Sequence, residues 1–223
     1  QTGTVISFMI PRDTPGFIIK DDWNTMGMRS TESRSTELQD AFIPESNVFL
    51  ERAVFTRGGV TDLFPRAPFT IGSVYIGIAI AARDFVVGFM RDRPRFPLKK
   101  PMSHLSSVYN KVGEMDALIE TARAVMWKAA AEADQEVPRR WIRKSAAARM
   151  VAMENSVQVV DLAMRTVGGI AYFKRLPLER YYRDVRAGLF HPFDTDETLE
   201  LLGKTAFGIP MYDEDTIRTA KEV

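Results

Sequence analysis

Apolar and polar positions alternate along residues 4–10, with the two-residue period of a half-buried strand. The runs GFIIK (16–20) and TELQDAFI (36–43) repeat such short segments, separated by the turn-rich PRDTPG and a polar loop. From Pro68 the period becomes helical. Residues 70–93 predict a first helix, stopped by Pro94. Ser103 stands where it would cap a second, in which Met115, Leu118, Ile119, Ala122 and Met126 form one apolar stripe. Pro138, at the favoured first-turn position, opens a third long helix that runs to Gly168 and Gly169. A fourth helical region covers 178–187 and, after His191-Pro192, resumes over 197–207. Short connections between such helices predict an antiparallel four-helix bundle. The expected fold is mainly α, with a partial β domain over 1–60 and the helical bundle over 68–223.

The longest apolar stretch, 71–82, contains Gly72, Ser73 and Gly77 and is cut by Arg83 and Asp84. It falls short of a membrane span and predicts a buried bundle helix. No basic leader precedes the first strand, so a signal peptide is not expected. Gln1 enters a strand almost at once, and the expectation is the C-terminal portion of a longer protein. Thirty basic residues against 29 acidic ones leave a net charge of +1, which offers no global field to nucleic acid or an anionic membrane. The expected partner is a small-molecule substrate. The chain has no cysteine and two histidines, which excludes disulfides, a thiolate nucleophile and cysteine-ligated metal, and disfavours a histidine metal site. A cysteine-free chain suits a reducing compartment, and the expected location is cytoplasmic.

Two segments concentrate chemistry. The connector MRDRPRFPLKK (90–100) gathers Arg91, Arg93, Arg95, Lys99 and Lys100. Cations there complement the macrodipole at a helix C-terminus, or form an anion clamp. The second segment, 162–191, joins an apolar helix to Gly168-Gly169, then to the charged run Glu179, Arg180, Arg183, Asp184, Arg186, then to His191. It reads either as a glycine helix stop before a salt-bridged surface helix or as a ligand site approached by backbone.

The order Gly168-Gly169, PLER (177–180) and YRD (182–184) resembles the acyl-CoA dehydrogenase superfamily. Upstream, WNTMGMRSTESRSTELQDAFIPESNV (23–48) is similar to the passage that closes that family's middle β domain. Arg93-Pro94-Arg95-Phe96 stands where the family carries an ERxQF element at the end of its first bundle helix. The resemblance spans nearly the whole chain. It implies FAD, or alternatively FMN, as cofactor and a homodimer or homotetramer. It also implies a missing N-terminal domain or a companion chain. By the same resemblance Arg93 and Phe96 would meet the cofactor, the guanidinium bonding phosphate oxygens in pairs. Gly168 and Gly169 match a QxxGG loop that reaches toward a neighbouring subunit's FAD, with Arg165 in the glutamine position. Pro94 and Pro97 depart from the pattern. In the β passage Trp23 is expected in a core and Arg29 in an ion pair or at a domain interface.

Counted from Asp184, the place of the family's catalytic glutamate is Pro192, which cannot act as a base. Asp194 and Asp196 are the nearest carboxylates, and the alternative place on the first bundle helix, 71–75, carries no acid. His191 resembles a histidine of the superfamily's flavin-dependent monooxygenase branch, where it lies by the flavin and supports a peroxyflavin or deprotonates substrate. Imidazole suits either task because it titrates near neutrality. It equally suits capping of the helix ending at Gly188. The resemblance thus implies a FAD-dependent oxidoreductase acting on an acyl-CoA or related substrate, with proline at the glutamate position. One alternative is a flavin-dependent monooxygenase assisted by His191. The other is a non-catalytic oligomerisation fragment or half of a split enzyme.

Overall fold

A computed structural model describes residues 4–53, 67–135 and 138–209. The parts of the two expected domains at 1–3, 54–60, 136–137 and 210–223 lie outside the described residues. Those described fall into two compact units, 4–53 and 67–209.

The first unit holds two short antiparallel ladders. Strand β1 (Thr4–Phe8) pairs with β4 (Val48–Ala53), with Ile6 opposite Glu51 and a register shift between Ser7 and Phe8. Strand β2 (Phe17–Ile19) pairs with β3 (Thr36–Leu38). The run 36–43 yields only three strand residues because Asp40 takes a positive φ of 49° and turns the chain, and β4 carried no periodic signal. Gly16, at φ 83°, is required. A side chain there would meet the Gln39 carbonyl oxygen at 2.0 Å, where the two backbones hydrogen bond. Trp23 is half-buried, its indole N–H donating to the Met28 carbonyl at 3.2 Å. Arg29 donates to the Thr25 carbonyl, while the ion pairs of this loop are made by Arg34 with Asp21 and Glu32. Phe42 and Phe49 are 78% and 62% exposed, so the ladders by themselves enclose little core.

The second unit is helical. Helix α1 (Ala67–Arg91) buries Tyr75, Ile76, Ala79, Ala82, Val86 and Met90. By length and composition it is long and apolar enough to cross a membrane, which corrects the shorter apolar run read from sequence. Arg83 and Asp84 do not interrupt it, because Arg83 pairs with Asp84 and reaches Asp116 on the next helix. Helix α2 (Ser106–Ala133) buries Met115, Ile119, Ala122 and Met126, as its stripe predicted. Ser103 does not cap it. Its hydroxyl donates to the Arg91 carbonyl and so closes the end of α1. Between them Pro94–Arg95 (β5) and Leu98–Pro101 (β6) form a small hairpin.

Helix α3 (Pro138–Val167) packs against both predecessors through small residues, Ala146, Ala148, Ala152, Val159, Val160 and Ala163. Such a surface lets helix axes approach closely. Gly72 lies so near Met126 that a Cβ would sit 2.8 Å from its methyl group. Asn155 donates to the Leu118 carbonyl at 2.9 Å, fixing the register of α3 on α2. The fourth helical region is two helices, α4 (Leu178–Arg186) and α5 (Thr195–Ala206), the first anchored by buried Leu178 and Val185.

Candidate functional site

The buried flank of α4 carries the chain into a 3-10 turn, Ala187–Phe190, whose Gly188 lies against the Tyr75 ring. A Cβ at Gly188 would stand 3.1 Å from Cδ1 and Cε1 of Tyr75, so glycine is what lets this backbone rest on the ring. His191 follows in extended conformation, φ −69° and ψ 145°, as a residue before proline prefers. Its Nε2 lies 2.7 Å from the Tyr75 hydroxyl, with the two rings edge to face at 5.6 Å. His191 stands at the C-cap position of this 3-10 turn, and its Nε2 is bonded to Tyr75 on α1.

Phe193 next adopts φ 61°, a left-handed conformation that side chains rarely take and that costs roughly 1–3 kcal/mol. The turn it makes is clamped by a capping box. Asp194 accepts from the Glu197 N–H at 2.9 Å, and Glu197 Oε2 accepts from the N–H groups of Phe193 and Asp194 at 2.6 and 3.2 Å. Asp194 thus has one oxygen committed to capping, and Asp196 is exposed on the first turn of α5.

The charges around the pair are asymmetric. Tyr75 is 1% exposed, and burial, aided by the negative charge of Asp184, pushes its hydroxyl up to about 12. Burial, and then the positive charge of Arg149, holds the His191 imidazole below its ordinary range. At neutral pH both groups are uncharged. In one tautomer Tyr75 donates to Nε2, and in the other Nε2–H donates to the Tyr75 oxygen and leaves the lone pair on Nδ1.

The other predicted residues lie elsewhere on the helical unit. Arg93 stacks on Phe89, its guanidinium carbon 4.6 Å from the ring centroid. Phe96 is 96% exposed at the tip of the β5–β6 hairpin, before a cis bond to Pro97. Arg165 is exposed and pairs with Asp161 at 2.6 Å, one turn back on α3. Gly168 ends α3 with φ 79° and ψ −162°, a region open essentially to glycine alone and distinct from the left-handed helical cap. Gly169 has no positive φ, and a Cβ added to it would meet no heavy atom within 4 Å. Neither its backbone nor its packing in this chain requires glycine. Among the described residues no hydrogen bond, ion pair or ring contact links Arg93 or Phe96 to Arg165 or the glycines.

These groups are of the chemical kind that a flavin nucleotide's phosphate and ribose accept, although the described chain does not gather them into one cluster. Arg93 and Arg165 offer guanidinium groups suited to phosphate, and Gly169 leaves an open approach to backbone. The sequence did not point to Tyr75, Gly188 or Arg149. Tyr75 falls at the end of the 71–75 stretch, where only an acid would have signalled chemistry. Gly188 sits inside a predicted helix boundary, and Arg149 hides within a run of alanines.

The model for the acyl-CoA dehydrogenase C-terminal domain matches residues 69–194, more than half of the chain and the whole of the Tyr75–His191 site. The short-chain specific acyl-CoA dehydrogenase of Rattus norvegicus is 28% identical over 83% of this chain and 44% of its own length. The amino sugar nitrososynthase DnmZ of Streptomyces peucetius is 30% identical over 90% of this chain and 50% of its own. Among solved structures, KijD3 in complex with FMN and dTDP-3-amino-2,3,6-trideoxy-4-keto-3-methyl-D-glucose superposes with a TM-score of 0.81 at 27% identity, covering 95% of this chain and 53% of that one. The chain spans about half the length of the curated relatives it matches. By the matched domain, the order of its motifs and its helical architecture, the chain belongs to the acyl-CoA dehydrogenase superfamily of flavin-dependent oxidoreductases.

Proposed function

We propose that the protein to which this chain belongs is a flavin-dependent monooxygenase of the superfamily, with His191 as its proton acceptor and Tyr75 as the residue that orients it. The observation that carries this reading is the 2.7 Å contact between the Tyr75 hydroxyl and His191 Nε2, beside a proline where a dehydrogenase needs a carboxylate. The similarity to an amino sugar nitrososynthase supports it.

A reduced flavin, when bound, supplies the two electrons with which dioxygen gives one atom to substrate and one to water. The chain's own residues handle protons and position. With Nε2–H donated to the Tyr75 oxygen, His191 Nδ1 carries the lone pair and takes the proton that leaves an oxidised N–H or aromatic centre, whereas a sulfide gives up none. The resulting imidazolium keeps its bond to Tyr75, which stays protonated because burial pushes it up to about 12. Arg93, Phe96, Arg165, Gly168 and Gly169 would hold the flavin, which is FAD in this reading and FMN in the alternative.

Residues 1–60 form part of a middle β domain and 68–223 the bundle domain of a cytoplasmic homodimer or homotetramer. The exposed Phe42 and Phe49 support a need for further covering chain, whether an N-terminal domain or a companion polypeptide. A second reading, dehydrogenation of an acyl-CoA, is favoured by the similarity to the short-chain enzyme.

One experiment separates the readings. Full-length protein with reduced flavin is mixed with labelled dioxygen and a panel of amine, sulfide and phenol substrates, and in parallel the oxidised protein is titrated anaerobically with acyl-CoA thioesters. Label in the product, lost in His191→Ala with flavin affinity retained, is the expected result. Bleaching of the flavin by a thioester, with no label incorporated, overturns it.

A further inference from the structure

The chain over 193–198 closes on itself. Glu197 accepts from the Phe193 and Asp194 N–H groups, and Asp194 accepts from the Glu197 N–H. The Thr198 hydroxyl donates to the Phe193 carbonyl at 3.2 Å, and the Thr198 N–H donates to the Asp194 carbonyl at 3.0 Å. These bonds hold Phe193 at its left-handed φ of 61°, so 193–198 behaves as one block. Pro192, with its fixed φ, leaves few soft torsions between that block and His191. Among the described residues, two side-chain hydrogen bonds join 191–198 to other helices. His191 Nε2 meets the Tyr75 hydroxyl of α1 at 2.7 Å, and the Thr195 hydroxyl donates to Glu154 Oε1 of α3 at 2.5 Å.

Glu154 stands beside Asn155 on α3, and the two reach different neighbours. Asn155 donates to the Leu118 carbonyl of α2, whereas Glu154 accepts from α5. A separation of 2.5 Å is at the short end for a hydroxyl bonded to a carboxylate, the stronger class of hydrogen bond. Thr195 is the first residue of α5 and follows its cap, Asp194, so its hydroxyl has no capping task. The helix is already seated on the bundle by Thr198, which is fully buried. A further bond at the first helical residue, four positions from His191, adds little to that seating. What it does fix is the direction from which the turn enters the helix.

We propose that Glu154 is a positioning residue that acts through Thr195, fastening the block 193–198 to α3 and so setting the His191 imidazole against the Tyr75 hydroxyl. A rigid block tied at one end pivots about that tie. Tied to α1 and α3 together, it presents the imidazole in one orientation. The bearing of this anchor on turnover rests on the reading of His191 as proton acceptor, which turnover of the His191→Ala enzyme tests. The anchor itself is read from the imidazole, so the two can fail separately.

The chain has two histidines, so nitrogen NMR of the imidazole rings in the full-length, flavin-loaded protein resolves His191, with the exposed His104 as a control for global change. Spectra are taken at about pH 8, above the ordinary histidine value of about 6.5. An imidazole bonded to a fixed partner keeps one tautomer and its two nitrogens differ widely in shift, whereas an unanchored ring exchanges tautomers and the shifts converge. Wild-type His191 should show the wide separation. Thr195→Val, which keeps the shape and removes the donor, should narrow it toward that of His104 with His104 unmoved, and Glu154→Ala should do the same. Thr195→Ser and Glu154→Gln, which keep a donor and an acceptor, should restore it. A narrow separation in wild type overturns the proposal. So does a Thr195→Val protein that melts lower but keeps the wild-type His191 shifts, since the bond then only seats α5. A change in Thr195→Val with none in Glu154→Ala overturns it too, as does failure of both conservative variants to restore the separation. If Glu154→Ala fails to fold, Thr195→Val and its rescue by Thr195→Ser decide.

Discussion

Gly188 and Tyr75 are in close backbone-to-ring approach: a Cβ on Gly188 would lie 3.1 Å from two ring carbons, a few tenths of an ångström tighter than ordinary contact. Tyr75 is enclosed on its other sides by the bundle, so the ring cannot yield by swinging outward.

Gly188→Ala should therefore lift the 3-10 turn, which stretches the Tyr75–His191 bond. A destabilisation of about 1–3 kcal/mol is expected from overpacking. Denaturant unfolding measures it, and the same variant should lose most turnover in the full-length enzyme. An unchanged midpoint with full activity would mean that the contact is loose.

Tyr75→Phe separates the ring from the hydroxyl. The ring continues to fill the space against Gly188, so the expected loss of stability is only about 0.5–1.5 kcal/mol, that of one hydrogen bond. Turnover should fall more than stability, because the imidazole then lacks the partner that orients it. Comparing kcat with the unfolding midpoint checks this.

His191 carries a pH signature. Its imidazole titrates below the ordinary value in the folded chain, through burial first and Arg149 second, so the folded state binds that proton less readily than the unfolded state. The contribution is fully present above the ordinary histidine value of about 6.5 and is lost as pH falls through the lower folded value. The melting temperature should fall over that acid window, and His191→Asn should flatten the fall. Parallel curves for the two proteins would exclude His191 as the cause.

The glycine pair divides binding from folding. Gly168→Ala places a side chain at φ 79° and ψ −162° and should cost roughly 1–3 kcal/mol. Gly169→Ala meets open space and should leave stability within about 0.5 kcal/mol of wild type. If flavin approaches this loop, Gly169→Ala weakens flavin retention in the full-length enzyme without lowering its melting temperature, which fluorescence of released flavin would detect.

Much of the helical architecture was readable because its signals are local. Pro138 opens α3, Met115, Ile119, Ala122 and Met126 line α2, and Leu178 begins α4 at the predicted residue. The β unit was legible only in outline. Its strands run three to six residues, too short for a period to declare itself, and positive φ at Met28, Glu32 and Asp40 has no glycine to announce it. Of the site, His191 was visible through resemblance and through its place before proline. Its partners were not, because nothing local relates Tyr75 or Arg149 to a turn on a different helix. Ser103 shows the same limit in miniature. A hydroxyl before a helix reads as that helix's cap, yet tertiary contact assigns it to the Arg91 carbonyl of the helix before.

The hydrogen bond between Tyr75 and His191 joins positions 116 apart in the chain. Closing so long a loop carries an entropic cost that one hydrogen bond does not offset, so the pair depends on the packing of α2 and α3 with α1. The chemistry thus reports on the topology. Any break, nick or swapped helix between these residues that leaves the individual helices intact would still disassemble the site, and the titration of one imidazole would register it before a helix-content signal did.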